Sequence, residues 1–296
     1  MHGTATLSRS EAHAYDLRET IREAGGVETF LRQGFLQIRY DPSVLAEHTP
    51  AIINDVRRMI DGEDRDAFAA DIFGRDEVGW QHDSGLYRRS EREQKWFFHC
   101  FKETADRMIA RAAPVDRYTD LFHAMEDLNR RSLGIATLVG TLLDEYHAAN
   151  GIQVPYSLEQ SFIGGACVTR TLRYLERAVG KPDATAHIDR AGITVHWWGS
   201  RQGLVVIDES GTRHRILETE YDTICIFPGK KFGAITKYAY GHGTLHGVVD
   251  TARESGATDD RFAVVSFVHP TLTKEEAAQV LAHEQTCAEI EQKYAL

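Results

Sequence analysis

The sequence has few cysteines and none that pair by spacing: Cys100, Cys167, Cys225 and Cys287 are scattered through 296 residues, with no Cys-x-x-Cys. A zinc ribbon or a dense disulfide framework is thereby disfavoured, and a reducing, cytoplasmic setting is expected. Basic charge is also short. Against 44 Asp and Glu there are 34 Lys and Arg, for a formal net charge of −10. With no run of Lys and Arg to offset it, this balance argues against a nucleic-acid partner. No apolar run approaches the roughly 20 residues that cross a bilayer, and the N-terminus has no apolar signal core, so neither a membrane span nor a leader is expected. A Gly-rich phosphate loop after a strand and a Gly-x-Ser-x-Gly elbow are missing as well, which leaves nucleotide-binding and serine-hydrolase readings unsupported.

What is present suits a full globular core: 42% of residues are apolar and 26% charged. The pattern changes near Gly151. Helical spacing dominates residues 1–150. It runs from Ser10 to Glu23, is interrupted at Gly25-Gly26, and resumes over Val27 to Arg32 and again over Pro42 to Ile60. A further helix is expected from Arg89 to Ala112, with Trp96, Phe97, Phe101 and Met108 as its buried stripe. Pro114 opens the longest helix, to about Asn150. Within the first half, only Gly34 to Ile38 alternates like a strand.

Residues 151–272 read as β-rich: Ile193–Trp198, Gly203–Ile207, Thr223–Phe227, Thr244–Val249 and Arg261–Val268 are short apolar runs between turn residues. Asp208-Glu209-Ser210-Gly211 predicts a hairpin turn into His214–Leu217. A closing helix is expected over Glu275–Tyr294, within residues 273–296. The fold class expected is mixed α/β with a mainly β core, an antiparallel barrel or jelly roll with helices packed outside, in a single domain over residues 1–296.

The chemistry concentrates in Ala186-His187-Ile188-Asp189-Arg190. On a strand, residues two apart share a face, so His187 and Asp189 can grip one cation. A third ligand should come from a later strand, and His246 in Thr244-Leu245-His246-Gly247-Val248 is placed for it. Two imidazoles and one carboxylate leave open positions on a metal, the donor set of non-haem Fe(II) oxygenases. A lone His-x-Asp is a weak signal, because most histidines simply hydrogen-bond. Fifteen residues after His246, Arg261 opens a strand and offers a planar fork for a carboxylate.

In order and spacing, these segments resemble the isopenicillin N synthase-like and Fe(II)/2-oxoglutarate-dependent oxygenases. The resemblance runs from His187-Ile188-Asp189 through Gly192-Ile193-Thr194-Val195, Gly203-Leu204-Val205-Val206, Phe227-Pro228-Gly229 and His246-Gly247-Val248 to Arg261-Phe262-Ala263. More loosely it takes in Gly34-Phe35-Leu36, Gly79-Trp80 and Lys95-Trp96-Phe97-Phe98-His99. It implies a double-stranded β-helix holding Fe(II) on His187, Asp189 and His246, with 2-oxoglutarate as co-substrate and O₂ as oxidant. Arg261 would anchor the far carboxylate of 2-oxoglutarate, whose oxidative decarboxylation drives hydroxylation, desaturation or ring formation on a small molecule. The family's usual serine two residues after this arginine is replaced by Ala263, which removes a hydroxyl from the anchor. Asp189 is intact, so halogenation is disfavoured.

Substrate contacts are expected from Arg173 and Tyr174 on an early strand, and from His196. His242, between two glycines, is a rival third ligand with poorer spacing to Arg261. A di-iron bundle on the long helix is disfavoured because His123-Ala124-Met125-Glu126 runs in the wrong order and has no second copy. Three alternatives stay open at this point: an iron oxidase of the same fold that needs no 2-oxoglutarate, a cupin-like metal hydrolase or isomerase, and a jelly-roll binding protein.

Overall fold

The computed structural model describes residues 17–65, 79–82, 95–101, 106, 109, 114–154, 156–174, 184–219, 222–249 and 260–294. Its helices are α1 (Gly26–Gln33), α2 (Pro42–Asp61), α3 (Thr119–Ala149), α4 (Leu158–Ile163), α5 (Lys230–Ile235), α6 (Lys274–Ala282) and α7 (Glu284–Lys293). Its strands are β1 (Leu36–Arg39), β2 (Gly79–His82), β3 (Lys95–Cys100), β4 (Ala166–Tyr174), β5 (Ala184–Ile188), β6 (Ile193–Gly199), β7 (Leu204–Ile207), β8 (Arg213–Arg215), β9 (Thr223–Pro228), β10 (Leu245–Val248) and β11 (Arg261–His269).

All described strand pairs are antiparallel and form a seven-stranded sheet, β1-β9-β6-β11-β4-β3-β2, and a four-stranded sheet, β5-β10-β7-β8. Alternation along the strands sorts the large sheet into two faces. Ile193, Val195, Trp197, Ile224, Ile226, Val264 and Val268 join one core cluster with Leu121, Met125, Leu128, Ile135 and Val139 of α3. Buried polar groups stitch this layer together: Asn129 donates to the Cys100 carbonyl (2.9 Å) and accepts from Thr169 (2.8 Å), while the Trp197 indole donates to Ser266 (2.8 Å). The opposite face carries Phe97, Leu172, Tyr174, Ala263 and Val265, which pack with Ala184 and Val248 of the small sheet.

Several expectations hold in detail. The long helix follows a 3₁₀ turn over Val115–Tyr118, and β7 and β8 pair across Asp208–Gly211, where Gly211 takes φ +85°. The interruption at Gly25-Gly26 is two consecutive left-handed residues, φ +94° and +62°. Residues 10–16 of the first predicted helix lie outside the described residues.

The helix expected over Arg89–Ala112 is corrected over its middle part; Asp106 and Ile109 are helical, and residues 89–94, 102–105, 107–108 and 110–112 lie outside the described residues. Lys95–Cys100 is strand β3, paired with β2 and β4. The aromatic run favours a pleated surface, and its neighbours split between faces: Phe98 and Cys100 pack toward α3, Phe97 toward the small sheet. A helical stripe would have placed Trp96 and Phe97 together. Within the stretch 151–272 expected to be β-rich, the first element is helical: α4 is capped by the Ser157 hydroxyl, and Asp144 of α3 accepts from the Leu158 and Glu159 amides. The closing helix is two, α6 with a Thr273/Glu276 capping box and α7, joined at His283.

Candidate metal centre and the charged pocket beside it

His187 sits at the end of β5 and His246 on β10, directly opposite one another in the ladder. Asp189 follows two residues after His187. One donor atom from each of His187, Asp189 and His246 lies within 4.8 Å of the others. Both imidazoles are oriented in the same way. Nδ1 of His187 bonds the Thr185 carbonyl at 2.7 Å, and Nδ1 of His246 bonds the Thr244 carbonyl at 3.0 Å. A carbonyl can only accept, so Nδ1 carries a proton in both rings, and in the neutral form each Nε2 presents its lone pair. Those Nε2 atoms lie 3.6 and 3.4 Å from the Asp189 carboxylate oxygens.

The supports around the triad are specific. Thr194 of β6 donates to Asp189 at 2.7 Å, and the Phe227 ring lies 4.5 Å from the His246 ring. At the sheet edge, the Ile188 amide between the two ligands donates to Glu291 of α7 at 3.1 Å, so the last helix fixes this strand. Burial resists a charge on Asp189, but His246, His187 and the Thr194 hydroxyl outweigh it and hold the carboxyl well below its usual range. Burial pushes His246 down to about 4, leaving the neutral imidazole that a metal requires. These donors suit a divalent first-row metal such as Fe(II): two nitrogens, one anionic oxygen, and partners behind each ligand. The His187 side chain is 40% exposed, so the centre opens to solvent on that side.

Two residues along β6 from Thr194, on the same face, stands His196. It lies 3.1 Å from Glu218, whose carboxylate also takes the Arg261 guanidinium and, at 2.7 Å, the Leu204 amide. Arg261 further donates to the Arg201 carbonyl (3.3 Å) and covers the Tyr174 ring at 5.1 Å. This group is sealed: the side chains of Glu218, Arg261 and His196 are 0%, 1% and 5% exposed.

No protein-family model and no curated protein matches this sequence. Solved structures do. The dioxygenase for auxin oxidation 1 of Arabidopsis thaliana, crystallised with 2-oxoglutarate, superposes with a TM-score of 0.60 at 16% identity, over 90% of this chain and 91% of that one. A 2OG-Fe(II) oxygenase family protein of Caulobacter crescentus gives 0.64 at 18% identity, over 93% and 96%. A full-length Neurospora crassa protein in complex with alpha-KG gives 0.62 at 14% identity, over 98% and 100%. The fold is that of the Fe(II)/2-oxoglutarate oxygenases.

Among the residues singled out from sequence, Tyr174 and His196 lie on the inner face with Arg261. Arg173 does not. Its side chain binds Asp260 (2.6 Å) and Asp61 of α2 (2.7 Å), on the face turned away from the metal ligands. Adjacent strand residues face opposite ways, so Arg173 and Tyr174 could not share a pocket. The same alternation points to Arg170, which has no motif to mark it in the sequence. Its guanidinium lies between the Phe97 and Phe267 rings, 5.0 and 4.9 Å from their centres. His242 stands with Tyr238 and His283, ring centres 5.0 and 5.4 Å away, and is not part of the triad. Glu218 lies in irregular chain after β8, and no motif marks it either.

Proposed function

We propose that the chain is a non-haem Fe(II) oxygenase that uses 2-oxoglutarate and O₂ to oxidise a C–H bond of a small molecule. On this reading residues 1–296 form one catalytic domain, with the two sheets as a double-stranded β-helix. The observation that carries it is the convergence of His187, Asp189 and His246 within 4.8 Å inside a fold shared with such enzymes.

His187, Asp189 and His246 would hold the iron, which with 2-oxoglutarate supplies the oxidising chemistry. Thr194 and the two backbone carbonyls hold the ligands in the orientation the metal needs. Arg261 would receive the distal carboxylate of 2-oxoglutarate, with Tyr174 and His196 beside it. The apolar residues Phe97, Leu172, Val248 and Val265 exclude water from the space between the sheets. Arg170, between two aromatic rings, favours a substrate with an acidic or polar group.

The test is anaerobic reconstitution with Fe(II), then O₂ with and without 2-oxoglutarate across candidate metabolites. Oxygen uptake with succinate release is expected only when both are supplied. A second reading draws on the Arg261–Glu218 pair and on Ala263: an iron oxidase of this fold that takes all its electrons from the substrate. Oxygen uptake with substrate alone would establish that reading in place of the first.

A further inference from the structure

The place where the co-substrate's carboxylate would be received already holds a carboxylate. Glu218 bonds Arg261, the Leu204 amide and His196, and the chain makes room for it. A Cβ at Gly199 would run into the Glu218 carboxylate, and one at Gly203 would approach Arg261 Nε to 3.2 Å. The Gly199 amide also bonds the Glu218 carbonyl at 2.7 Å. Two glycines and three hydrogen-bonding partners make this a built arrangement and not an incidental contact.

We propose that Glu218 is an internal competitor for Arg261, and that a dicarboxylate co-substrate binds there only as the Glu218 carboxylate takes up one proton. The inference rests on the oxygenase reading above. Its physical basis is charge. Arg261 and Glu218 sum to zero, in a pocket whose side chains are at most 5% exposed. A second carboxylate would leave an uncompensated buried anion, which proteins avoid by protonation.

The groups facing Glu218 are few. His196 comes from β6 and Arg261 from β11, with the Tyr174 ring of β4 under the guanidinium. Cys225 of β9 is kept a neutral thiol by burial. The 200–203 connection contributes the Arg201 carbonyl to Arg261 and the Gln202 side chain to the Glu218 amide. Burial disfavours the ionised Glu218, and it is chiefly Arg261 that keeps its carboxyl below the ordinary range. If the incoming carboxylate takes Arg261, burial is left to neutralise Glu218. The proton comes from solvent and resides on Glu218, 3.1 Å from the His196 ring.

The experiment is calorimetric titration of 2-oxoglutarate into the Fe(II)-loaded protein without O₂, at pH 7 to 8.5, in two buffers of different ionisation enthalpy. About one proton should be taken up per ligand bound, and affinity should fall about tenfold per pH unit. Glu218→Gln keeps the side chain's shape and removes the competing charge. It should bind 2-oxoglutarate about 10-fold or more tighter at pH 8, without proton uptake, in keeping with one charge-assisted fork.

Wild-type binding without proton uptake overturns the inference and leaves the oxygenase reading standing. Weaker binding by Glu218→Gln also overturns it, since Glu218 would then be orienting Arg261. If iron binds but 2-oxoglutarate binds neither protein, the inference and the 2-oxoglutarate reading both fall. Should Glu218→Gln not fold, the wild-type proton count alone decides.

Discussion

The two charged groups between the sheets are built on opposite principles. The candidate metal-binding group, His187, Asp189 and His246, brings one carboxylate and two imidazoles together, and the His187 side chain is 40% exposed. Arg261, Glu218 and His196 are closed off and neutralise one another. On the proposed reading, the first group is completed by a cation from outside. The second is complete as it stands, and anything that enters must displace a partner. Burial of charge therefore means different things a few residues apart on one strand, β6, which contributes Thr194 to one group and His196 to the other.

The largest effect should come from breaking the closed group. Arg261→Met removes the guanidinium paired with Glu218 and leaves a buried anion, at a cost of about 3–5 kcal/mol in urea unfolding. The double variant Arg261→Met/Glu218→Leu should regain most of that loss. A single variant as stable as the wild type would show that the pair is not sealed. In the open group the loss should fall on metal binding. Asp189→Ala or His246→Ala should weaken Fe(II) binding beyond the roughly 100-fold upper end seen for outer-sphere changes, whereas His242→Ala should leave it within about twofold. Anaerobic Fe(II) titration separates these, and a His242 effect equal to that of His246 would reassign the third ligand.

A smaller change sharpens the comparison. Thr194→Val strips only the hydroxyl from Asp189, and should reduce Fe(II) affinity about 10-fold in the same titration. Smaller still is the pH effect of Glu218. Its folded pKa is depressed, chiefly by Arg261 working against burial, so its stabilisation is present above the unfolded value of about 4.3 and is lost as the pH falls through the folded one. Urea unfolding between about pH 3 and 7 should therefore show a steeper acid decline in the wild type than in Glu218→Gln, which keeps the part due to other depressed carboxylates such as Asp189. Equal slopes for the two would remove Glu218 from the acid response.

The convergence of His187, Asp189 and His246 was legible because spacing and chemistry coincide there. His-x-Asp on a strand shares a face, and a later strand supplies His246. The hairpin at Asp208–Gly211 and the long helix were legible for equally local reasons, turn residues and apolar periodicity. Strand β3 was not, because an aromatic run is ambiguous until its neighbours in the sheet decide it. Arg173 was misplaced for want of its register: pairing with Phe262 turns it toward Asp61 and Asp260, while Tyr174 pairs with Arg261 and turns inward. Glu218 left no trace, since nothing local distinguishes an acid in irregular chain.

The sequence by itself determined the donor set, the order of the strands that carry it and the presence of an arginine near its end. Those are properties of residue type and of period two along a strand, which need no partner to be read. The tertiary structure decided which side chains share a face and which charges meet. Arg261 and Glu218 lie 43 residues apart in the chain, and an ion pair between residues so separated exists only once two strands and the chain after β8 have closed around it.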